Sequence, residues 1–413
     1  MSAGIEGARR PWRERRIVLG VTGGIAAYKA VQLARDLTLL GARVDTILTE
    51  GARRFVAPVS FEGVTGRPPH TTLWTTDGAA LHVALARNAD VVCVAPATAD
   101  FIARAAHGRS DDLLAAVLLA TEAPVLVCPA MNHRMYRHPQ TRANLDHLRN
   151  ALSYGVAGPA SGALAHGEEE GEGRMLEPSE IVEHVGRILF AGSPLEGRRV
   201  VVTAGPTREP LDPVRFLSNR SSGRMGYALA RAAWRRGAEV TLVSGPSELP
   251  HPVGVELVRV ETAREMDAAV RDVLSEADVC IFAAAVSDYR PEETRSRKIK
   301  RSATGDALDV SLRANPDIAA DTRKARKEGA VIVGFALETD DVLENADRKL
   351  REKGLDFVVA NDVTDEGAGF EVETNRVVIL SARGDKDELP LLSKDEVAER
   401  ILDRVSDRLE GDE

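Results

Sequence analysis

Residues 15–48 read RRIVLGVTGGIAAYKAVQLARDLTLLGARVDTIL, and this stretch decides the fold. A short apolar run (15–21) leads through a turn at Gly23–Gly24 into an amphipathic segment of helix length. A second apolar run (42–48) follows. Continuous apolar runs of this length suit strands covered on both faces, and a helical crossover between two of them makes them parallel. The pattern continues with ADVVCVA (89–95) and APVLVCP (123–129). It restarts at GRRVVVTAG (197–205), with helical YALARAAWRRG (227–237). AEVTLVSG (238–245), ADVCIFAAA (277–285), AVIVGFA (330–336) and DFVVAND (356–362) then follow.

The expected fold is therefore α/β: two doubly wound, mostly parallel sheets of the Rossmann-like or flavodoxin-like kind. Turn residues in AGSPLEG (191–197), between helical EIVEHVGRILF (180–190) and the next strand, place the seam and predict domains 1–192 and 193–413. The halves share architecture without a fixed period, which excludes a solenoid. The last strands and the charged segment from Asp385 onward read as a closing strand pair and a C-terminal helix.

Composition narrows the function. A chain of 413 residues is too long for one ordinary core, and 44% apolar with 28% charged residues is a globular balance. The net charge of −9 argues against nucleic acid as a partner. No apolar run reaches the roughly 18 residues that a membrane helix needs, so no membrane partner is expected. The Arg-rich opening, 1–16, has no apolar core behind it and does not read as a signal peptide. Cys93, Cys128 and Cys280 sit in apolar runs without CxxC spacing and read as buried small hydrophobes, so the expected location is cytoplasmic.

In the first half, Gly23, Gly24 and Ala26 fall where a helix begins, and small residues there let a phosphate approach backbone N–H groups. The next two strands end at Thr49 and at APATAD, which carries Thr98 and Asp100. Three strand ends bearing small or hydroxyl residues point to a mononucleotide. No GxGxxG is present, which disfavours a dinucleotide oxidoreductase. The blocks GVTGGIAAYK (20–29), LHVALARNADVVCVAPATADFIAR (81–104), PAMNHRMY (129–136) and GEGRMLEP (171–178) together resemble the flavin-dependent cysteine decarboxylases, in their phosphopantothenoylcysteine branch.

That resemblance implies FMN held by Gly23, Gly24, Ile25, Ala26, Thr49, Ala97 and Thr98. It implies His82 as the catalytic histidine and Asn132 as the binder of the substrate carboxylate, where a neutral amide can donate hydrogen bonds yet let CO2 depart. The implied chemistry has flavin oxidise the carbon bearing sulfur, making an electron sink for decarboxylation, and then return the hydride. The family carries a cysteine on a flap ahead of Gly-Arg-Met; here that block reads Leu164-Ala165-His166-Gly167. Two readings of His166 stand: an imidazolium donating the last proton, or a bystander with water or another flap group as the acid.

The second half has no GxxxxGK[ST]. It offers instead a strand, a polar loop and Ser221-Ser222-Gly223-Arg224-Met225-Gly226 opening a helix, with Arg215, Asn219 and Arg224 as donors suited to an anion. TAGPTREPLDPVRFLSNRSSGRMG (203–226) and the blocks after it resemble the phosphopantothenate–cysteine ligases, in the CTP-using form fused behind the decarboxylase. This implies that Asn219 and Arg215 lie at an acyl-cytidylate. It implies nucleotide contacts at Asp288, Lys298, Asn315, Pro316, Asp317, Ile318, Phe335, Lys349 and Lys353. Lysines and Mg²⁺ would neutralise the leaving diphosphate, with metal ligands unassigned. The implied partners are 4′-phosphopantothenate, L-cysteine and CTP, and the implied assembly is a homo-oligomer. The rival reading is an active ligase fused to a flavin domain that no longer completes decarboxylation.

Overall fold

Strand β1 (Arg16–Val21) is buried from Ile17 to its end, because its alternate side chains go to two different helix layers. The computed structural model describes residues 11–74, 80–163, 170–300, 307–338, 342–362 and 372–411. In the first unit α1 (Ala27–Leu39) returns the chain to β2 (Arg43–Leu48), with α2 (Pro58–Thr65) and α3 (Leu81–Asn88) after it. Next come β3 (Val91–Ala97), α4 (Ala99–Ala106), α5 (Leu113–Ala120), β4 (Val125–Pro129), α6 (His133–Arg137), α7 (Pro139–Asn150) and β5 (Gly155–Val156). The hairpin β6 (Ala160–Gly162) and β7 (Gly171–Arg174) and helix α8 (Pro178–Leu189) complete the unit.

The sheet order is β2-β1-β3-β4-β5, every pair parallel. This is the flavodoxin order, whose ligand crevice opens where the chain switches direction between β1 and β3. Ile17, Leu19 and Cys93 pack with α1, α2 and α8 on one face. Val18, Val92 and Val94 pack with α3, α4, α5 and α7 on the other.

The second unit begins with β8 (Arg199–Ala204), the hairpin β9 (Arg208–Pro210) and β10 (Phe216–Ser218), and α9 (Arg224–Arg235). It continues through β11 (Glu239–Ser244), β12 (Glu256–Arg259), α10 (Ala263–Leu274), β13 (Val279–Phe282), β14 (Tyr289–Pro291), β15 (Leu312–Ala314) and α11 (Ile318–Asp321). It ends with β16 (Val331–Glu338), α12 (Val342–Lys353), β17 (Phe357–Asp362), β18 (Thr374–Asn375), β19 (Val378–Ser381), β20 (Lys386–Glu388), β21 (Leu392–Ser393) and α13 (Lys394–Glu410). The large sheet runs β12-β11-β8-β13-β16-β17-β19-β20. Its six parallel strands take the 3-2-1-4-5-6 order of the Rossmann fold. β19 and β20 extend it antiparallel. The C-terminal strand pair and helix read from the sequence are present. The two compact units are residues 1–190 and 191–413. All three cysteines are buried and free, and no described helix is long and apolar enough to cross a membrane.

Candidate functional site

In the first unit three loops meet beyond the carboxyl ends of β1, β2 and β3. Thr22 stitches two of them: its hydroxyl donates to Pro96 O (2.8 Å) and accepts from Thr98 N–H (3.0 Å). Gly23 is required by close approach, since a Cβ there would sit 2.7 Å from the Gly51 backbone. At Gly24 the nearest atom to such a Cβ is Thr98 Cγ2, at 3.6 Å, so the loop is open on that side. Ala26 N-caps α1 without a side-chain hydrogen bond, which leaves the helix's positive end undressed by any side chain. Ile25 beside it is exposed.

Thr98 caps α4 by accepting from Phe101 N–H (3.3 Å), and Ala97 O accepts from Ala130 N–H (3.0 Å). The Thr49 hydroxyl is committed to the loop itself, donating to Val21 O (3.2 Å) and accepting from Ala52 N–H (3.2 Å). Glycines in close contact, a helix start without a side-chain cap and Thr98 at the next loop fit a phosphate-bearing mononucleotide such as FMN.

His82 lies in the first turn of α3. That helix feeds the parallel strand β3, so its N-terminus is level with the strands' carboxyl ends. His82 Nδ1 is buried with no hydrogen-bond partner among the described residues. Asn132 follows β4 and N-caps α6, its Oδ1 accepting from Arg134 N–H (2.9 Å). Strand β7 lies against this segment: Met131 N–H donates to Gly173 O (3.0 Å). A Cβ on Gly171 would stand 2.8 Å from His133 Cβ, and one on Gly173 would overlap Met131 O. The Gly-Glu-Gly of the fourth block thus exists so that the flap strand can press onto Asn132.

Where the flap leaves the sheet, Glu177 accepts from Lys29 Nζ (2.8 Å) and from Arg174. The Lys29 hydrogen bond, with the Lys29 and Arg174 charges, outweighs partial burial and holds the Glu177 carboxyl below its ordinary value. Sequence reasoning missed this link between α1 and the end of β7. His166 lies outside the described residues.

In the second unit the apolar run 277–285 reads as one strand, but β13 stops at Phe282, short of Asp288. Beyond that point a single backbone bridge, Pro206 with Ala285, and several side chains carry on from the ladder. Thr203 Oγ1 accepts from Ala284 N–H, Thr207 Oγ1 accepts from Ser287 N–H, and Asn219 Nδ2 donates to Ala285 O (3.2 Å) and Val286 O (3.0 Å). Asn219 therefore shapes the loop leading to Asp288.

The hairpin β14–β15 closes that loop against Asn315, whose N–H donates to Asp288 O and whose Nδ2 donates to Ser287 O (both 2.8 Å). Pro316 and Asp317 follow, and Asp317 caps α11 at Ile318 while accepting from Lys353 Nζ (3.1 Å). Burial raises the Asp317 carboxyl, but the Lys353 bond, the Ala320 N–H and the charges of Lys353 and Lys349 bring it below its ordinary value. Asp288, Asn315, Pro316, Asp317, Ile318, Lys349 and Lys353 are thus one cluster. Phe335 lines a recess at the start of α9.

Lys298 stands apart, on the arm between β14 and β15, lining a cavity of about 840 Å³ with Leu211 and Arg295. Arg215 goes to the same arm: it binds Asp212 through Nε (3.0 Å) and a terminal nitrogen (2.6 Å), and it donates to Ile299 O (2.7 Å). Asp212, buried among those donors, also accepts from Ile299, Val214 and Arg215 N–H. Burial raises its carboxyl, and the Ile299 N–H, the Arg215 guanidinium and the turn N–H groups together hold it far below the carboxylate range. In a loop as polar as LDPVR an aspartate reads as a turn residue, so this hub is not legible from the residues alone. No group of three or more His, Cys, Asp or Glu converges as a metal site among the described residues.

The fold defines a two-domain α/β protein in which each unit gathers loop residues beyond the strand ends of its parallel sheet. Residues 6–189 match the family model of the flavoproteins, and residues 195–409 match the DNA/pantothenate metabolism flavoprotein C-terminal domain. The coenzyme A biosynthesis bifunctional protein CoaBC of Vibrio cholerae is 45% identical over 96% of this chain and 98% of its own length. The Escherichia coli protein of that name is 45% identical over 95% and 97%. A solved C-terminal domain of such a protein is 41% identical, covering 53% of this chain and 100% of that one, with a TM-score of 0.46. The chain belongs to the family of coenzyme A biosynthesis bifunctional proteins and is a bifunctional enzyme of that family.

Proposed function

We propose that residues 193–413 join L-cysteine to 4′-phosphopantothenate at the expense of CTP, and that residues 1–192 decarboxylate the product to 4′-phosphopantetheine with FMN. What carries this reading is the full-length similarity to two-activity relatives in a chain whose two sheets each open a crevice where the family's motifs fall.

In the ligase reading, the cluster from Asp288 to Lys353 takes the nucleotide and Lys298 neutralises the leaving diphosphate. Asn219 keeps the loop beyond β13 in place for the acyl-cytidylate, and Arg215 acts through Asp212 by holding the arm that carries Lys298. With no cluster among the described residues to hold it, Mg²⁺ would arrive on the nucleotide's phosphates. The cysteine amine then attacks the mixed anhydride and CMP leaves.

In the decarboxylase reading, the loops at 22–26 and 96–98 hold the FMN phosphate. When bound, FMN would supply the two-electron oxidation and its reversal. Asn132 orients the carboxylate under the flap strand, His82 works from the start of α3, and His166 is placed on the flap by sequence alone. A cytoplasmic homo-oligomer is part of the proposal. The test is direct: the purified protein should be yellow, release FMN on denaturation, and release diphosphate only when CTP and phosphopantothenate are both present. A colourless protein, or diphosphate release indifferent to phosphopantothenate, refutes it.

A further inference from the structure

Strands β14 and β15 pair through three residues each, and in that ladder Arg290 stands opposite Arg313. Two strands of that length are marginal by themselves, and like charges directly opposite each other cost stability. The hairpin therefore needs more than its own ladder, and Arg290 supplies it. One terminal nitrogen of its guanidinium donates both to Ala314 O and to Asn315 Oδ1, the latter at 3.0 Å. Asn315, the first residue after β15, completes the closure. Its N–H donates to Asp288 O and its Nδ2 to Ser287 O, both at 2.8 Å.

The far side of this closure is anchored in turn. Ser287 is buried, and its N–H donates to Oγ1 of the wholly buried Thr207 (3.0 Å). Thr207 O accepts from the hydroxyl of Ser218 (2.8 Å), the neighbour of Asn219. One hydrogen-bonded path thus runs from the β9–β10 hairpin through Ser287 and Asp288 to the segment 315–318. Arg290 closes that path at the base of the arm that carries Lys298. Both ends of the Asn315 carboxamide are turned to the protein, its oxygen to Arg290 and its nitrogen to Ser287.

The geometry points to Arg290 as a positioning residue for the nucleotide reaction, with the Asn315 side chain as its strut rather than a contact to the nucleotide. This rests on the reading that the second unit activates a carboxylate with CTP. The pair sets the spacing of groups on three segments. Asp288 lies two residues before Arg290, Asp317 lies two after Asn315, and the arm with Lys298 leaves and returns between them. A misplacement of about 1 Å among groups that orient a reacting triphosphate costs about 100-fold in rate, which is what the pair prevents.

Full-length wild type, Arg290→Met, Arg290→Lys, Asn315→Ala and the Arg290→Met/Asn315→Ala double variant are to be compared in three measurements. These are single-turnover formation of the acyl-cytidylate without cysteine, calorimetric titration with MgCTP, and amide hydrogen exchange. Arg290→Met should form the intermediate about 10- to 100-fold more slowly, with the rate falling more than the affinity for MgCTP. Arg290→Lys should recover much of the rate, because an ammonium can also make two bonds from one nitrogen. Asn315→Ala should match Arg290→Met, and the double variant should be no slower than the slower single. A lowered melting temperature with wild-type rates in folded Arg290→Met and Asn315→Ala overturns the inference. So do losses that multiply in the double variant, since Asn315 then touches the nucleotide for itself. Exchange needs no nucleotide: Arg290→Met should speed it at the Asn315 and Glu292 amides, which donate across the hairpin. A wild type that forms no acyl-cytidylate sinks the ligase reading. Exchange then decides the pairing alone, unchanged protection in Arg290→Met overturning it and faster exchange leaving it standing.

Discussion

Gly173→Ala should cripple decarboxylation while leaving ligation intact. A Cβ at Gly173 would overlap Met131 O and lie 3.2 Å from His133 N and 3.3 Å from the Asn132 carbonyl carbon, all backbone atoms that cannot rotate away. Restoring ordinary contact requires β7 and the 131–133 segment to part by about 1 Å, which also lengthens the 3.0 Å bond from Met131 N–H to Gly173 O. Overpacking of this kind costs about 1–3 kcal/mol, and a misplacement of about 1 Å at a reacting group costs about 100-fold in rate. The assay is CO2 release from 4′-phosphopantothenoyl-L-cysteine, with CTP-dependent diphosphate release by the same preparation as internal control. Wild-type CO2 release by a folded Gly173→Ala would refute the argument that the flap strand holds Asn132 in place.

Asn219→Asp sets a carboxylate against the carbonyls of Ala285 and Val286. Ligation should stall after activation, with acyl-cytidylate visible by mass spectrometry, whereas Lys298→Ala should form none; identical behaviour of the two would count against this division. Asp212→Asn should loosen the arm and lower the melting temperature. Because the folded pKa of Asp212 is depressed, its contribution is present above the unfolded value of about 3.9 and fades as pH falls through the folded one. The difference from wild type should thus be full at pH 7 and shrink in acid; a pH-independent difference contradicts it. If His166 is the flap acid, His166→Ala should release CO2 yet accumulate the unsaturated product, and normal turnover would exclude it.

The long apolar strands were legible because a strand buried on both faces has no polar alternation to disguise it. β5 and β12, of two and four residues, were not: GV and ELVR carry no run, and only the neighbouring strand makes them strands. Gly23 was legible because a strand-to-helix turn allows few residue types. Arg215 was read as a ligand contact because an arginine beside an anion loop invites it, yet its partner Asp212 is nearby in sequence and buried by the distant arm. The burial of Lys394 and Asn375 lay hidden in a charged C-terminal stretch, since burial of a lysine is a tertiary fact.

Mass spectrometry of the products formed from 4′-phosphopantothenate, L-cysteine, CTP and Mg²⁺ tests the central claim most directly. One purified chain should yield CMP, diphosphate, CO2 and 4′-phosphopantetheine. Phosphopantothenoylcysteine persisting without CO2, or no CTP-dependent coupling of cysteine, would contradict the assignment of both reactions to this chain.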